Sequence, residues 1–117
     1  MQRDPRAFLW DVCDAAEAIA EFTKESDFEI YAASNLLRAG VERKLEIIGE
    51  ALNQLSKIDP SITARIPDTP KIVAFRNLLI HGYAVVDHIR VWRIIHESLP
   101  ALRATAKALL DEMDNVG

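Results

Sequence analysis

The amino-acid sequence predicts an all-α protein, an antiparallel bundle of four or five helices. Apolar residues recur at intervals of three or four along most of the 117 positions, which is the period of an amphipathic helix. No segment alternates apolar and polar residues over the length of a strand. No Pro/Gly-rich run or repeat divides the chain, so we expect residues 1–117 to form a single domain.

The first helix is predicted to start at Asp4-Pro5, because an N-cap residue followed by proline is a common helix start. Its end is expected near Lys24. Between these limits one apolar stripe recurs at helical spacing: Phe8, Val12, Ala16, Ile19 and Phe22.

Ser26 and Glu29 have the spacing of a capping box, which predicts a short turn before the second long helix. Gly40 and Gly49 lie inside that helix, where each costs up to ~1 kcal/mol relative to alanine. Glycine at such positions suggests that a neighbouring helix comes close. The apolar stripe of this helix is Leu37, Val41, Leu45, Ile48, Leu52 and Leu55.

The rest of the chain predicts two or three more helices. Asp59-Pro60 ends the second long helix, and a connector runs to Pro67. A third helix is expected from Thr69-Pro70 to a stop at Gly82. Asp87 caps a fourth, in which Pro100 either makes a kink or separates a fifth helix at residues 101–113.

Composition limits the functional classes. The net charge of −4 argues against general nucleic-acid binding. Residues 36–110 nevertheless hold eleven basic and seven acidic side chains, which leaves open a local basic surface or merely solvated helix faces. Cys13 is the only cysteine, so a disulfide within the chain is excluded and a reducing compartment is favoured. With no signal-like or membrane-spanning apolar segment, the cytoplasm is the expected location.

The segment from Arg76 to Tyr83 carries the residues best suited to chemistry. A guanidinium can hold a phosphate through two parallel hydrogen bonds. The imidazole of His81 titrates near neutral pH and can move a proton. Tyr83 adds a hydroxyl or a stacking face. Together these groups suit phosphodiester cleavage without a metal.

Helix geometry places a condition on this hypothesis. Residues five apart, such as Arg76 and His81, are separated by about 140° around a regular helix. Their convergence requires a distortion near Gly82, a long side-chain reach, or a second copy of the motif across a dimer. Asn77 and His81, four apart, share a face.

The spacing Arg76-x4-His81-x-Tyr83 resembles the RX4HXY signature of HepT-like toxins, in the HEPN superfamily of helical ribonucleases. Three other segments agree with the family pattern: residues 41–51, Ile66-Pro67, and residues 87–92. One position departs from it, because many relatives carry tryptophan directly after the Ile-Pro pair, where this chain has Asp68. The departure bears on local packing more than on chemistry.

This resemblance implies a HEPN-like four-helix homodimer in which two copies of the motif line a shared cleft. It also implies an endoribonuclease that acts as the toxin of a toxin–antitoxin pair, with no cofactor. The antitoxin of such pairs is a minimal nucleotidyltransferase, which is thought to inactivate the toxin by transferring AMP to the tyrosine of the motif, here Tyr83.

The roles we assign follow from the reactivity of RNA, whose 2′-hydroxyl can attack the adjacent phosphate. His81 is expected to act as general base or general acid, and Arg76 to stabilise charge on the phosphate oxygens. The second proton carrier is left open between His81 of a second copy, Tyr83 and water. Asn77 either orients the imidazole or a phosphate, or satisfies backbone groups near the turn.

Glu46 and Glu50 lie four apart on the second long helix. They are candidates for a buried pair with Arg76 or for the wall of the active site. The alternative, which we favour, is a structural role as partners of Arg43 and Asn53.

Other candidate residues are assigned to packing. His88 and His96 have no recognisable zinc spacing, so no metal is expected. Trp10 and Trp92 are expected to be core or interface anchors, and Cys13 to pack beside the first helix.

Two further functions compete with the ribonuclease. One is a non-catalytic helical adaptor that presents a nucleotide to a nucleotidyltransferase. The other is a plain dimerisation bundle in which the motif merely ends a helix. The intact set of Arg76, His81 and Tyr83 favours the enzyme, because an adaptor has no chemical need for all three.

Overall fold

A computed structural model of the chain describes residues 3–82 and 85–115, and within these ranges it contains helices and no strand. The helices are α1 (Pro5–Thr23), α2 (Phe28–Ala33), α3 (Asn35–Ile58), α4 (Pro60–Thr63), α5 (Thr69–His81), α6 (His88–Arg93) and α7 (Leu99–Asp114). A π-helical turn, Ile94–Ser98, joins α6 to α7. The all-α prediction is confirmed.

Four helices, α1, α3, α5 and α7, form the bundle. Helix α3 packs against α1 on one side and α5 on the other, and α7 packs along α1. The buried side chains include most of the stripes expected from the sequence, among them Val12 and Ile19 of α1 and Leu45 and Leu52 of α3. Because α3 lies between α1 and α5, it is the element that holds the motif helix in place.

The predicted helix boundaries are largely confirmed. The Asp4 side chain accepts a hydrogen bond from the backbone N–H of Arg6 at 2.9 Å. Asp87 accepts from Ile89 at 3.0 Å and so caps α6. The turn before α3 is a short helix, and its cap is Asp27, which accepts from Ile30 at 2.8 Å; the capping box expected at Ser26 is wrong by one residue.

Pro100 lies at the start of α7, directly after the π-helical turn. Proline lacks the N–H of a helical hydrogen bond, and its ring crowds the carbonyl four residues earlier. A wider turn before the proline relieves that conflict. The helical backbone therefore continues from α6 through the π-helical turn into α7, and no loop separates a fifth helix at Pro100.

Two aromatic predictions differ in outcome. Trp92 is half-buried and packs against the rings of Phe28 and Tyr31, with centroids 6.2 and 5.3 Å away. Trp10 is 57% exposed, so it is not a core residue, and the other role expected for it, an interface anchor, stays a prediction. Trp10 lies within α1 but outside the stripe that α1 presents to α3 and α7. Cys13 packs against the core, as expected.

No helix in the described part of the chain combines the length and apolarity that crossing a membrane requires.

Candidate active site

Helix α5 carries the arginine and the histidine of the motif. It is a regular α-helix from Thr69 to His81, and Gly82 ends it with φ +61°, a left-handed conformation that glycine adopts without strain. The N–H of Gly82 donates to the carbonyl of Leu78 at 3.3 Å. Because the helix is unbroken up to His81, a distortion before Gly82 does not bring Arg76 and His81 together.

Arg76 lies on the side of α5 that faces α3. A Cβ atom added to Gly49 would clash with Arg76, lying 2.7 Å from its Cγ, and would lie 3.4 Å from the carbonyl oxygen of Ile72. The two helices therefore approach as closely as they do because position 49 has no side chain. The expectation that a glycine of α3 marks a close helix contact is confirmed at Gly49. Gly40 makes ordinary contact with the ring of Phe22, at 3.5 Å.

The guanidinium of Arg76 is held by two side chains, and only 19% of the Arg76 side chain is exposed. Its Nη2 forms an ion pair and hydrogen bond with Oε2 of Glu50 on α3. Its Nη1 donates to Oδ1 of Asn77 at 2.8 Å. These contacts fix the plane of the guanidinium, and a guanidinium has five N–H donors, so others remain for a ligand.

Glu46 and Glu50, both on α3, pair with different residues. Glu50 pairs with Arg76, which is the first of the two expected roles. Glu46 pairs with Arg43 one turn earlier on its own helix at 3.2 Å, which is the second. The amide oxygen of Asn77 accepts from Arg76, and the roles expected for Asn77 toward the imidazole, a phosphate or the backbone stay predictions.

His81 is the last residue of α5, and it is exposed. Asn77 precedes it by four residues, is exposed as well, and lies on the same face of the helix. Tyr83 lies outside the described residues, so its expected role stays a prediction. The motif thus combines a guanidinium anchored against α3 with an imidazole at the open end of the same helix.

Gln54 was missed by sequence reasoning. Its Nε2 donates to Oε1 of Glu50 at 2.9 Å. The signal was its position four residues after Glu50, the spacing of neighbours on one helix face. Asn53 is the partner that we expected for Glu50, whereas the observed hydrogen bond comes from Gln54.

A cavity of about 160 Å³ opens beside Glu50, between the start of α1 and the middle of α3. Charged side chains of both signs line it: Arg3, Asp11, Arg43, Glu46 and Glu50. Arg3 pairs with Asp11 at 2.8 Å. The Glu50 side chain, which is 44% exposed, therefore borders a cavity that Arg3 and Arg43 also line.

An apolar surface adjoins the end of α5. A cavity of about 140 Å³ lies between α5 and the start of α6, and Arg90 covers the ring of Phe75 at 4.9 Å. Leu78 and Val85, which line this cavity, are 45% and 93% exposed, and Ile89 near the start of α6 is 54% exposed. An exposed apolar patch of this kind is typical of a contact surface for another protein.

His88 and His96 lie away from the motif, in the aromatic cluster around Trp92. The rings of His96 and Trp92 are 4.4 Å apart, and those of His88 and Tyr31 are 6.4 Å apart. In the part of the chain that the structure describes, no group of three or more His, Cys, Asp or Glu side chains is placed to hold a metal ion.

Comparison with known proteins places the chain in a family of ribonucleases. The model of the family described as Ribonuclease HepT-like matches residues 12–109. A Methanocaldococcus jannaschii protein named as a candidate RNase is 36% identical over 104 residues, which are 87% of this chain and 93% of the relative. A probable ribonuclease HepT of Thermococcus cleftensis is 34% identical over 113 residues, covering 93% and 98% of the two chains. No solved structure matches this chain at a significant level.

Proposed function

This chain belongs to the HepT-like family of ribonucleases and is an endoribonuclease, and from that premise we propose that it cuts RNA without a metal at a site built around Arg76 and His81. One observation carries the proposal. Arg76 has a guanidinium fixed by Glu50 and Asn77, five residues before an exposed histidine at the end of the same helix. Metal-free phosphodiester cleavage needs a fixed cation and a proton-transfer group, and this helix carries one of each.

The proposed reaction uses the 2′-hydroxyl of RNA as the nucleophile. Its oxygen attacks the adjacent phosphorus while His81 accepts its proton, and the bond from phosphorus to O5′ breaks. A second proton carrier protonates the leaving O5′. Arg76 stabilises the charge that builds up on the two non-bridging oxygens. The products are a 2′,3′-cyclic phosphate and a 5′-hydroxyl.

The second proton carrier is proposed to be His81 of a second copy, with Tyr83 and water as the alternatives. On a regular helix Arg76 and His81 point about 140° apart, so one copy does not aim both at one phosphate along a single face. A homodimer resolves both problems, because it brings two copies of the motif to a shared cleft. The exposed apolar side chains of Leu78, Val85 and Ile89 are the surface that we propose for this contact.

We further propose that the protein is the toxin of a toxin–antitoxin pair in the cytoplasm. Its partner would be a minimal nucleotidyltransferase that transfers AMP to Tyr83. An AMP group two residues from His81 adds bulk and a negative charge, which would repel the RNA backbone and compete for Arg76. The physical effect of the modification is therefore inhibition.

The test uses unmodified protein and a short RNA in the presence of a metal chelator. Wild-type protein is expected to cleave and to leave 2′,3′-cyclic phosphate ends. Arg76→Ala and His81→Ala are expected to keep their fold and to lose cleavage. An RNA with a single 2′-deoxy nucleotide at the cleavage position should resist cutting there, and equal cleavage of that RNA would contradict the mechanism.

The same experiment separates the enzyme from the adaptor. Wild-type protein that leaves RNA intact, while still binding a nucleotidyltransferase, would favour the adaptor. Growth arrest on expression that disappears in both Arg76→Ala and His81→Ala would favour the toxin.

A further inference from the structure

The two oxygens of the Glu50 carboxylate are divided between two helices. Oε2 pairs with Nη2 of Arg76 on α5. Oε1 accepts from Nε2 of Gln54, one turn further along α3, at 2.9 Å. A carboxylate held through both oxygens by separate donors has a fixed plane. The orientation of Glu50 is therefore set by Gln54 as well as by Arg76.

The plane of the Arg76 guanidinium depends in turn on Glu50. Its Nη1 has a partner in Asn77 at 2.8 Å, and its Nη2 has one in Glu50. Loss of either contact frees one end of the group to rotate. The chain Gln54–Glu50–Arg76–Asn77 is a continuous row of hydrogen bonds that leads from the exposed side of α3 to the exposed side of α5.

The carboxylate of Glu50 borders a cavity into which it could rotate. Its side chain is 44% exposed and borders the cavity of about 160 Å³ that Arg3 and Arg43 also line. Both arginines carry a charge that attracts a carboxylate. Without a donor at position 54, the carboxylate can turn into this cavity. The contacts with Gln54 and Arg76 together oppose the turn.

We propose that Gln54 is a positioning residue for RNA cleavage. It holds Glu50 toward Arg76 and thereby keeps the guanidinium in the orientation that stabilises the transition state. The inference rests on the proposed function of Arg76. It adds a residue that touches neither the substrate nor Arg76 and acts only through Glu50.

The kinetic test is a double-mutant cycle on a short RNA. Gln54→Met removes the amide with little change of side-chain length, and Glu50→Gln removes the charge that pairs with Arg76. Gln54→Met is expected to lower kcat about tenfold with a much smaller change in KM, because misorientation affects the transition state most. Glu50→Gln is expected to lower kcat further, and the double variant should be no slower than Glu50→Gln alone.

Two matched controls isolate the effect. Lys57→Met introduces the same methionine side chain about one turn after Gln54 on α3. Glu112→Gln breaks a different ion pair, that of Glu112 with Arg65 at 2.9 Å, by the same change of charge. Both are expected to keep kcat within about twofold of wild type, since neither residue contacts the row of hydrogen bonds.

A second measurement does not depend on catalysis. In protein with ¹⁵N-labelled arginine, the Nε–H signal of Arg76, assigned with Arg76→Lys, is expected to shift or broaden in Gln54→Met and to stay unchanged in Lys57→Met. Wild-type protein that does not cleave RNA would overturn the proposed function, whereas this signal still reports whether Gln54 orients Arg76.

Three results would overturn the inference itself. The first is a wild-type kcat in Gln54→Met when Arg76→Ala is inactive. The second is an additional loss from Gln54→Met in the Glu50→Gln background, which would show that Gln54 does not act through Glu50. The third is a rise in kcat in Glu50→Gln, which would show that Glu50 competes with the RNA phosphate for Arg76.

Discussion

The backbone of Gly49 on α3 lies directly against the side chain of Arg76 on α5, so that any Cβ at position 49 would meet the Cβ and Cγ of the arginine. This contact sets the distance between the two helices at the level of the Arg76 guanidinium. It also places Glu50, the next residue of α3, within reach of Arg76.

Gly49→Ala is expected to destabilise the protein and to impair cleavage. Relief of the clash requires that α5 shift or that Arg76 leave its pair with Glu50, and overpacking of this kind costs about 1–3 kcal/mol. Thermal unfolding should show a midpoint lowered by several degrees. Gly40→Ala is the control, because its Cβ would make an ordinary contact with Phe22 at 3.5 Å. It is expected to stabilise α3 by about 0.5–1 kcal/mol.

Gly82→Ala is expected to cost about 1 kcal/mol and to lower cleavage more than that loss explains. The added methyl group meets nothing within 4 Å, so the whole cost arises from the φ of +61°. Relaxation of that strain would move the end of α5, where His81 lies. Gly82→Asn should cost less, because asparagine tolerates this conformation better than alanine. Equal thermal midpoints for the two variants would contradict this explanation.

Tyr31→Phe is expected to keep or raise the stability. The Tyr31 side chain is fully buried, and within residues 3–82 and 85–115 its hydroxyl has no hydrogen-bond partner. A buried polar group without a partner costs about 1–3 kcal/mol, and phenylalanine keeps the ring that packs on Trp92. Chemical denaturation measures the change. A loss of more than 1 kcal/mol would mean that the hydroxyl is bonded in solution.

Glu42→Gln is expected to stabilise the protein at neutral pH but not in acid. Burial raises the pKa of Glu42 above its usual value, and attraction to His88 offsets only part of this effect. Because the pKa of this carboxyl is higher in the folded state than in the unfolded state, the folded protein binds the proton more tightly. The folded state is therefore stabilised while Glu42 is protonated, and this stability is lost as the pH rises through the raised pKa. The thermal midpoint of Glu42→Gln, relative to wild type, should therefore increase from pH 4 to pH 7. A constant difference over this range would contradict the assignment.

Val85→Asp is expected to disrupt the proposed homodimer. The side chain is 93% exposed beside the end of α5, and a charge there opposes burial against a second copy. Sedimentation velocity should show a monomer, and cleavage should fall with it. Leu36→Asp is the control, because Leu36 is 86% exposed on a different surface, at the start of α3. A dimer lost in Leu36→Asp but kept in Val85→Asp would place the contact elsewhere.

The helix ends were predictable from the sequence because their causes are local. The caps at Asp4 and Asp87 and the stop at Gly82 each depend on residues within a few positions. The shift from Ser26 to Asp27 shows the limit of this reasoning, since adjacent residues compete for one cap and the spacing does not decide between them.

The ion-pair partner of Arg76 was less predictable because it comes from another helix. Glu50 and Arg76 are 26 residues apart, and their contact depends on how closely α3 and α5 pack. The sequence indicated a close approach through Gly49 but not which residue it faced. The exposure of Trp10 was also hard to predict. The apolar stripe of α1 predicts which face of the helix is buried, but it does not show whether an aromatic residue outside the stripe is covered by another part of the chain.

The π-helical turn at Ile94–Ser98 also constrains the length of the chain. A residue removed from this turn would rotate α6 by about 100° relative to α7 and draw it in by about 1.5 Å. Val91, which is fully buried, would then leave its place in the core, and Asp87 and the segment before it would turn with it. Insertions and deletions between Trp92 and Leu99 are therefore expected to be as damaging as substitutions in the core, although several of these positions face solvent.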